Sequence, residues 1–417
     1  MRNIIIFCSV AFCMSLQTSC QSRNASDTLD ESPIVAETKT INSEGDRLMV
    51  IDFEKFDREH PIDFPLSDFC DYRLVKLDGS DKNYMLSAST QICASDNYII
   101  AKSINELLLF DKEGKHLLTI DGRDGPAGFE GYCWQASINE EAGEIYAYLF
   151  RKMKIYDLKT GAYKQDILYN NPEESSMLRY PISAIYKDRH VFAAGPLEAA
   201  GTKKFIWQTD KTGKELCNFP ASYFFHMSWV EDQYEGRFWM EAKPFLSFVD
   251  DDCLSVSMPN MEIPVQDSIY HYYPETNRLA PAIVMKFPDP AHAPQHFHNE
   301  TPSFYFSMLM EVNTLPTQGD GWGNHPVARL LVDKKTMRGS AAQLCLDKHG
   351  KLDITGERTW ITGDYFWVNI TPDRMDELIA NRLNSGKASE SDREFLESFL
   401  KTIGPDDNNY VIVGKLK

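Results

Sequence analysis

Three stretches of this chain concentrate residues that could do chemistry. HAPQHFHNE (His292–Glu300) sets three histidines and a glutamate in a Pro-rich stretch. Neutral imidazoles suit Zn or Cu, so His292, His296 and His298 are the candidate metal ligands. Their spacing matches no metal motif, and a Pro-rich loop presets no ligand geometry. The expectation is therefore a polar insertion with no resident metal and no other cofactor. SYFFHMSWVEDQYEGRFWMEAKPF (Ser222–Phe245) crowds aromatic rings beside carboxylates. Rings stack on apolar sugar faces and acids bind sugar hydroxyls, which makes Trp229, Tyr234 and Trp239 candidate ligand-binding residues. The competing use of the same rings is to fill a core between sheets. TQGDGWGNHP (Thr317–Pro326) is Gly-rich and holds Trp322 and His325; functional residues favour such loops on rigid scaffolds.

A fourth stretch, LLLFDKEGKHLLTIDGRDGPAGFEG (Leu107–Gly131), has the glycines of a phosphate loop but not its context. A phosphate cradle needs a helix opening directly after the glycines, so that N–H groups and the dipole face the anion. Here Pro126 removes one N–H, and the residues that follow read as strand, turn, strand. Neither a Gly-x-Ser-x-Gly elbow nor a His-Glu-x-x-His pair occurs. No catalytic residue is assigned.

The elements that would position these stretches begin after residue 45. Residues 1–19 read as a signal peptide: Arg2, then an apolar run from Ile4 to Leu16, about 13 residues and too short to span a bilayer. Cys20 follows two small residues, as the lipid-bearing cysteine of a bacterial lipoprotein signal would. Residues 20–45 are polar, acidic and without aromatics, which predicts a disordered tether. The net charge of −18 argues against nucleic acid and against electrostatic docking on anionic lipid. Any membrane association then falls to the lipid on Cys20. The six cysteines beyond the signal form no C-x-x-C pair, so they are either disulfides of open connectivity or buried thiols.

Residues 46–417 repeat one pattern. LLLFDKEGKHLLTI (Leu107–Ile120), MKIYDLKTGAYKQDIL (Met153–Leu168) and KFIWQTDKTGKELCNF (Lys204–Phe219) each run strand, Asp-opened turn, strand. Variants of the pattern follow near Glu275 and Lys334. Asp opens such a turn by side-chain-to-backbone bonding, and Gly supplies the positive φ. A further strand precedes each hairpin. Units of about 45–65 residues and about four strands are propeller blades. The prediction is an all-β, six-bladed β-propeller, closed by pairing Asn409–Lys417 with Asp46–Glu54. Two helices, capped at Thr371 and at the Ser before Glu390, should pack on it before the closing strand.

DYRLVKLDG (Asp71–Gly79), the Leu107–Gly131 stretch, QDSIYHYYPETNRLAPAIVMKF (Gln266–Phe287) and DDNNYVIVGKLK (Asp406–Lys417) occur in this order. In that order they resemble the six-bladed β-propeller lipoproteins of Bacteroidetes, a family of unassigned function. The resemblance implies the propeller fold and an envelope address: an outer-membrane lipoprotein, periplasmic or surface-exposed. It carries over no catalytic residue. The function expected is a binding or scaffold module for a glycan, peptide or protein partner. The alternative is a propeller-type hydrolase or lyase acting on carbohydrate, with carboxylates contributed by several blades.

Overall fold

The computed structural model describes residues 28–42, 45–80, 85–103, 105–122, 127–129, 133–149, 152–168, 181–194, 203–222, 245–257, 268–288, 296–310, 326–404 and 406–417. Six antiparallel sheets form the six blades of a β-propeller. Blade 1 comprises Gln91–Ala94, Tyr98–Lys102, Glu106–Asp111 and His116–Asp121. Blade 2 comprises Gln135–Asn139, Glu144–Tyr148, Lys152–Asp157 and Tyr163–Leu168. Blade 3 follows with Ile182–Tyr186, Arg189–Ala193, Lys204–Asp210 and Glu215–Pro220. Blade 4 has Phe245–Asp250, Cys253–Ser257, Ser268–Tyr273 and Arg278–Lys286, and blade 5 has His296–Glu300, Phe304–Met310, Pro326–Asp333 and Gly339–Leu346. Blade 6 takes Trp360–Thr362, Tyr365–Ile370 and Tyr410–Leu416 from the end of the chain and Cys70–Lys76 from near its start.

The apolar residues divide into six clusters, one at each boundary between neighbouring blades. Ile100, Leu109, Ile145 and Tyr156 join blades 1 and 2, for example, and Val75, Phe110, Trp367 and Val413 join blades 6 and 1. Both faces of a blade are thus covered. That is why middle strands such as Glu106–Asp111 and Lys152–Asp157 bury four consecutive residues instead of alternating. Each fully buried Leu, Ile or Phe contributes about 1.5–3 kcal/mol.

The five hairpins predicted from sequence are the outer two strands of blades 1 to 5; an Asp opens the turn in blades 1, 2, 3 and 5, while blade 4 turns on Tyr273–Asn277 with Thr276 N donating to Tyr273 O. Asp111 Oδ1 accepts from Glu113 N (3.1 Å) and Lys115 N (2.9 Å). Asp210 Oδ1 accepts from Thr212 N (2.8 Å) and Lys214 N (3.0 Å), and Asp333 Oδ1 from Lys335 N (2.7 Å) and Thr336 N (2.9 Å). The positive-φ position is Gly114, Gly161 or Gly213 in blades 1 to 3, Asn277 in blade 4 and Met337 in blade 5. Two of the glycines have a second reason to lack a side chain. A Cβ on Gly114 would lie 2.2 Å from Lys76 O, and one on Gly213 would lie 2.4 Å from Ile167 Cγ2. Each turn presses on the outer strand of the preceding blade. The GRDGPAG glycines lie in the connection from blade 1 to blade 2, which leads into strand Gln135–Asn139 and not into a helix.

Ring closure differs from the expectation. Tyr410–Leu416 pairs antiparallel with Cys70–Lys76, from Tyr410↔Lys76 to Leu416↔Cys70. The strand expected there, Arg47–Asp52, instead adds in parallel to the outer edge of blade 4, with Met49 opposite Ile283. The second half of the expected tether is also structured. Ala36–Thr40 pairs with Arg47–Asp52, and Leu29 is fully buried against blades 5 and 6. Ile62–Pro65 then adds in parallel to Gly339–Leu346. The N-terminal segment is a strap across the outer edges of blades 4, 5 and 6. Its apolar residues (Val35, Ile51, Phe53, Phe64, Leu66) belong to the blade cores, which explains why they order.

The two predicted helices are Pro372–Asn384 and Glu390–Leu400. Pro372 occupies the first turn after Thr371, and Ser389 caps the second helix by accepting from Asp392 N at 3.1 Å. Met375, Leu378, Ile379 and Leu396 pack into the cluster between blades 5 and 6. All six cysteines beyond the signal are free thiols; five are buried, and burial pushes Cys93 up to about 12.

Closure leaves no room at Gly414. A Cβ there would meet Cys70 Sγ at 2.3 Å and Cys70 Cβ at 2.9 Å. Gly414→Ala should force the closing strands apart and lower stability by about 1–3 kcal/mol. Thermal denaturation followed by circular dichroism checks this; an unchanged melting temperature would show that the closing pair tolerates a side chain there.

Candidate functional site

Antiparallel order gives the propeller two unlike faces. The first-to-second and third-to-fourth strand connections lie on one face and are two to five residues long. The opposite face receives the second-to-third connections and the links between blades. There the described strand ends flank residues 221–244, 258–267, 287–295 and 311–325, and the helical connection of 39 residues between Ile370 and Tyr410. We term these the turn face and the loop face.

The candidate residues fall unevenly on this frame. Trp229, Tyr234, Trp239, Trp322, His325, His292 and Cys20 lie outside the described residues. The strands that bracket the aromatic and Gly-rich stretches nevertheless end on the loop face. HAPQHFHNE is not a loop throughout: His296–Glu300 is the innermost strand of blade 5. His298 is buried there, with Nδ1 3.2 Å from Tyr305 Oη. Among the described residues no group of three or more His, Cys, Asp or Glu could hold a metal ion.

Glu300, at the end of that strand, anchors the strongest polar cluster of the turn face. Its Oε2 lies 2.7 Å from His271 Nε2 of blade 4, and its Oε1 accepts from Lys334 Nζ at 2.5 Å. Lys334 Nζ also donates to Thr301 O (2.9 Å), and Ser247 Oγ donates to Glu300 O (2.8 Å). Burial alone would raise the Glu300 pKa. The His271 bond and charge, with the Lys334 ammonium, outweigh it and hold Glu300 below the ordinary glutamate value. Sequence placed Glu300 beside the histidines, but its partners come from 29 and 34 residues away, beyond any local pattern.

Other turn-face acids bond across blade boundaries in the same way. Glu140 of blade 2 accepts from Asn97 N and Asn97 Nδ2 of blade 1, both at 2.8 Å. Asp96 of blade 1 accepts from Tyr365 Oη (2.5 Å) and Lys415 Nζ (3.0 Å) of blade 6, and these two bonds lower its pKa. Glu275 of blade 4 accepts from Lys187 Nζ (3.0 Å) and Arg189 Nη2 (3.3 Å) of blade 3. Asp364 behaves differently. Its side chain reaches solvent, yet the crowding of the turns raises its pKa, and the Asp251 and Asp96 carboxylates add to this against Lys415. Inner strands are also stitched directly: Gln135 Nε2 donates to Ser183 O (2.9 Å) while Gln135 Oε1 accepts from Ser183 N (3.0 Å). The chemistry of the described turn face is thus mostly the joining of blades.

No family model matches the chain, and no curated protein does. Solved structures are similar in fold. A Bacteroides fragilis protein named as exported matches with a TM-score of 0.57 at 12% identity, over 89% of this chain and 99% of its own. A member of the DUF4221 family from Bacteroides vulgatus matches with a TM-score of 0.47 at 10% identity, over 84% of this chain and 97% of its own. The similarity to the first spans nearly the whole of both chains and shows a shared propeller fold.

Two buried groups should make the fold acid-sensitive. His190 stacks against Phe192 and lies edge-on to Tyr146, and burial lowers its pKa to about 4. The unfolded chain therefore takes up this proton first, from about pH 6.5 downward, at a cost of up to about 3 kcal/mol by pH 4. Glu300, with its depressed pKa, stabilises the fold above the ordinary glutamate value and loses that contribution as pH falls through its folded pKa. Melting temperature should fall from pH 6.5 to 4 and further below. His190→Phe should flatten the upper part of the profile. Glu300→Ala should cost about 3 kcal/mol at pH 7, because Lys334 loses its counter-charge and His271 its hydrogen-bond partner. A flat profile in the wild-type chain would contradict both assignments.

Proposed function

We propose that this chain is an envelope lipoprotein whose propeller presents its loop face to a glycan, peptide or protein partner. One observation carries the reading. The strand ends that bracket the aromatic stretch 222–245 and the Gly-rich stretch 317–326 leave the same face of a rigid ring. Those two stretches carry Trp229, Tyr234, Trp239, Trp322 and His325, and rings with carboxylates suit sugars. The described turn-face carboxylates bond mostly across blade boundaries, which supports binding over hydrolysis as the task. The envelope address rests on the Cys20 signal, and the exported Bacteroides fragilis neighbour agrees with it. No helix among the described residues is long and apolar enough to cross a membrane.

The test pairs localisation with binding. Cys20→Ala should move the protein from the membrane fraction to the soluble one; unchanged fractionation would end the lipoprotein assignment. The Cys20→Ala protein should then be titrated with neutral oligosaccharides, acidic oligosaccharides and peptidoglycan fragments in a thermal-shift assay. A shift that Trp239→Ala and Trp322→Ala abolish, with the unliganded melting temperature kept within a few degrees, supports the loop-face site. A large loss of stability in Trp322→Ala would place that ring in the core.

A further inference from the structure

The strap fixes the point at which the chain leaves the propeller toward Cys20. Thr28 Oγ1 donates to Asp68 Oδ2 at 2.7 Å, and Leu29 is fully buried with Phe64, Leu66 and Phe69. Val35 N donates to Met337 O (2.9 Å), and Gly339 N donates to Pro33 O (3.0 Å). From Thr28 onward the strap is therefore part of blade 5 and its neighbours. Covalent geometry limits what remains. The residues from Cys20 to Thr28 can reach at most roughly 29 Å when fully extended, whereas a domain of this size is roughly 50 Å across.

We propose that the outer edge of blade 5 is the membrane-proximal side of the propeller, held against the bilayer by this short leash. The proposal rests on the lipoprotein reading of Cys20 and adds an orientation to it. The exit lies where blades 5 and 6 meet, so it is this side of the ring that is held within leash length of the headgroups. Blade 2, diametrically opposite in a ring of six, is carried outward. Contact comes from the leash and not from charge. A cleft of about 1100 Å³ at the exit point is lined by six carboxylates, Asp30, Glu31 and Asp68 among them, against Lys348 and Lys417, and a surface with that net charge is not drawn to anionic headgroups. Held by its edge, the propeller keeps the loop face open to a partner arriving along the membrane.

The lipidated full chain, reconstituted into phosphatidylcholine vesicles that carry an acceptor-labelled lipid, tests this by energy transfer. Single donors go on Glu59→Cys, on the exposed strap of blade 5, or on Gln165→Cys, on the outer strand of blade 2. Both are built on Cys217→Ser, which removes the one described thiol that is not buried. The expected result is transfer several-fold stronger from position 59 than from position 165. Inserting about 30 Gly-Ser residues after Cys20 should level the two, since such a linker ranges over about 30 Å. Equal transfer in the native-length chain, or stronger transfer from position 165, overturns the orientation. A chain that leaves the vesicles as readily as Cys20→Ala overturns the anchor itself, and with it this proposal.

Discussion

Everything in this fold depends on one pairing, that of Tyr410–Leu416 with Cys70–Lys76. Each blade is apolar on both faces and relies on a neighbour to cover each of them. Five boundaries form between sheets that are adjacent in sequence. The sixth, between blades 6 and 1, forms only if the two ends of the chain meet in one sheet. Without it, Val75, Phe110, Trp367 and Val413 would face water, and the blade edges would be left unpaired. The pairing is correspondingly tight: seven residue pairs in register, and a glycine where Cys70 leaves no space.

The propeller was legible in the sequence because the turns that build it are local. An Asp and, a few positions on, a Gly fix the hairpin in blades 1 to 3, and blade 5 keeps the Asp with Met337 in the place of the Gly. The glycines mark blades for a reason beyond φ, since at Gly114 and Gly213 the neighbouring outer strand approaches too closely for a Cβ. The closing partner was not legible. Arg47–Asp52 and Cys70–Lys76 are both short apolar-polar strands, and nothing local tells which one meets the C-terminus. That choice is made by where the strap residues find apolar cover, a property of the assembled ring. The same blindness made Ala36–Thr40 look like tether. Four of its five residues are polar, and the neighbours that order it, Val35 and Ile51, bury themselves only against blades formed much later in the chain.

The candidate site divides along the same line. Trp229, Tyr234, Trp239, Trp322 and His325 could be nominated because clustered rings and Gly-rich runs are local signals. His298 lies in a strand where a Pro-rich loop was expected, for the opposite reason. A strand between two blades can bury polar residues when a partner such as Tyr305 is supplied across the sheet, and alternation of His with Phe does not reveal that partner. Glu300 shows the limit most clearly. Its role depends on Lys334, from the outer turn of its own blade, and on His271, which reaches it only once blade 4 packs on blade 5.

This division of labour has a physical origin. Short turns leave little freedom, so polar groups on the turn face are used where they are already positioned, between neighbouring blades. Long connections carry no such obligation, because the strands they join are held by the sheets and not by the connection itself. Their sequences can therefore change without loss of the ring, and binding residues can accumulate there at little cost to stability. The strap adds an asymmetry that the ring alone lacks. Among the described residues it fastens to blades 4, 5 and 6, and so gives six similar blades one distinguished side. An anchor on that edge leaves both faces free, and only one of them has connections long enough to receive a ligand.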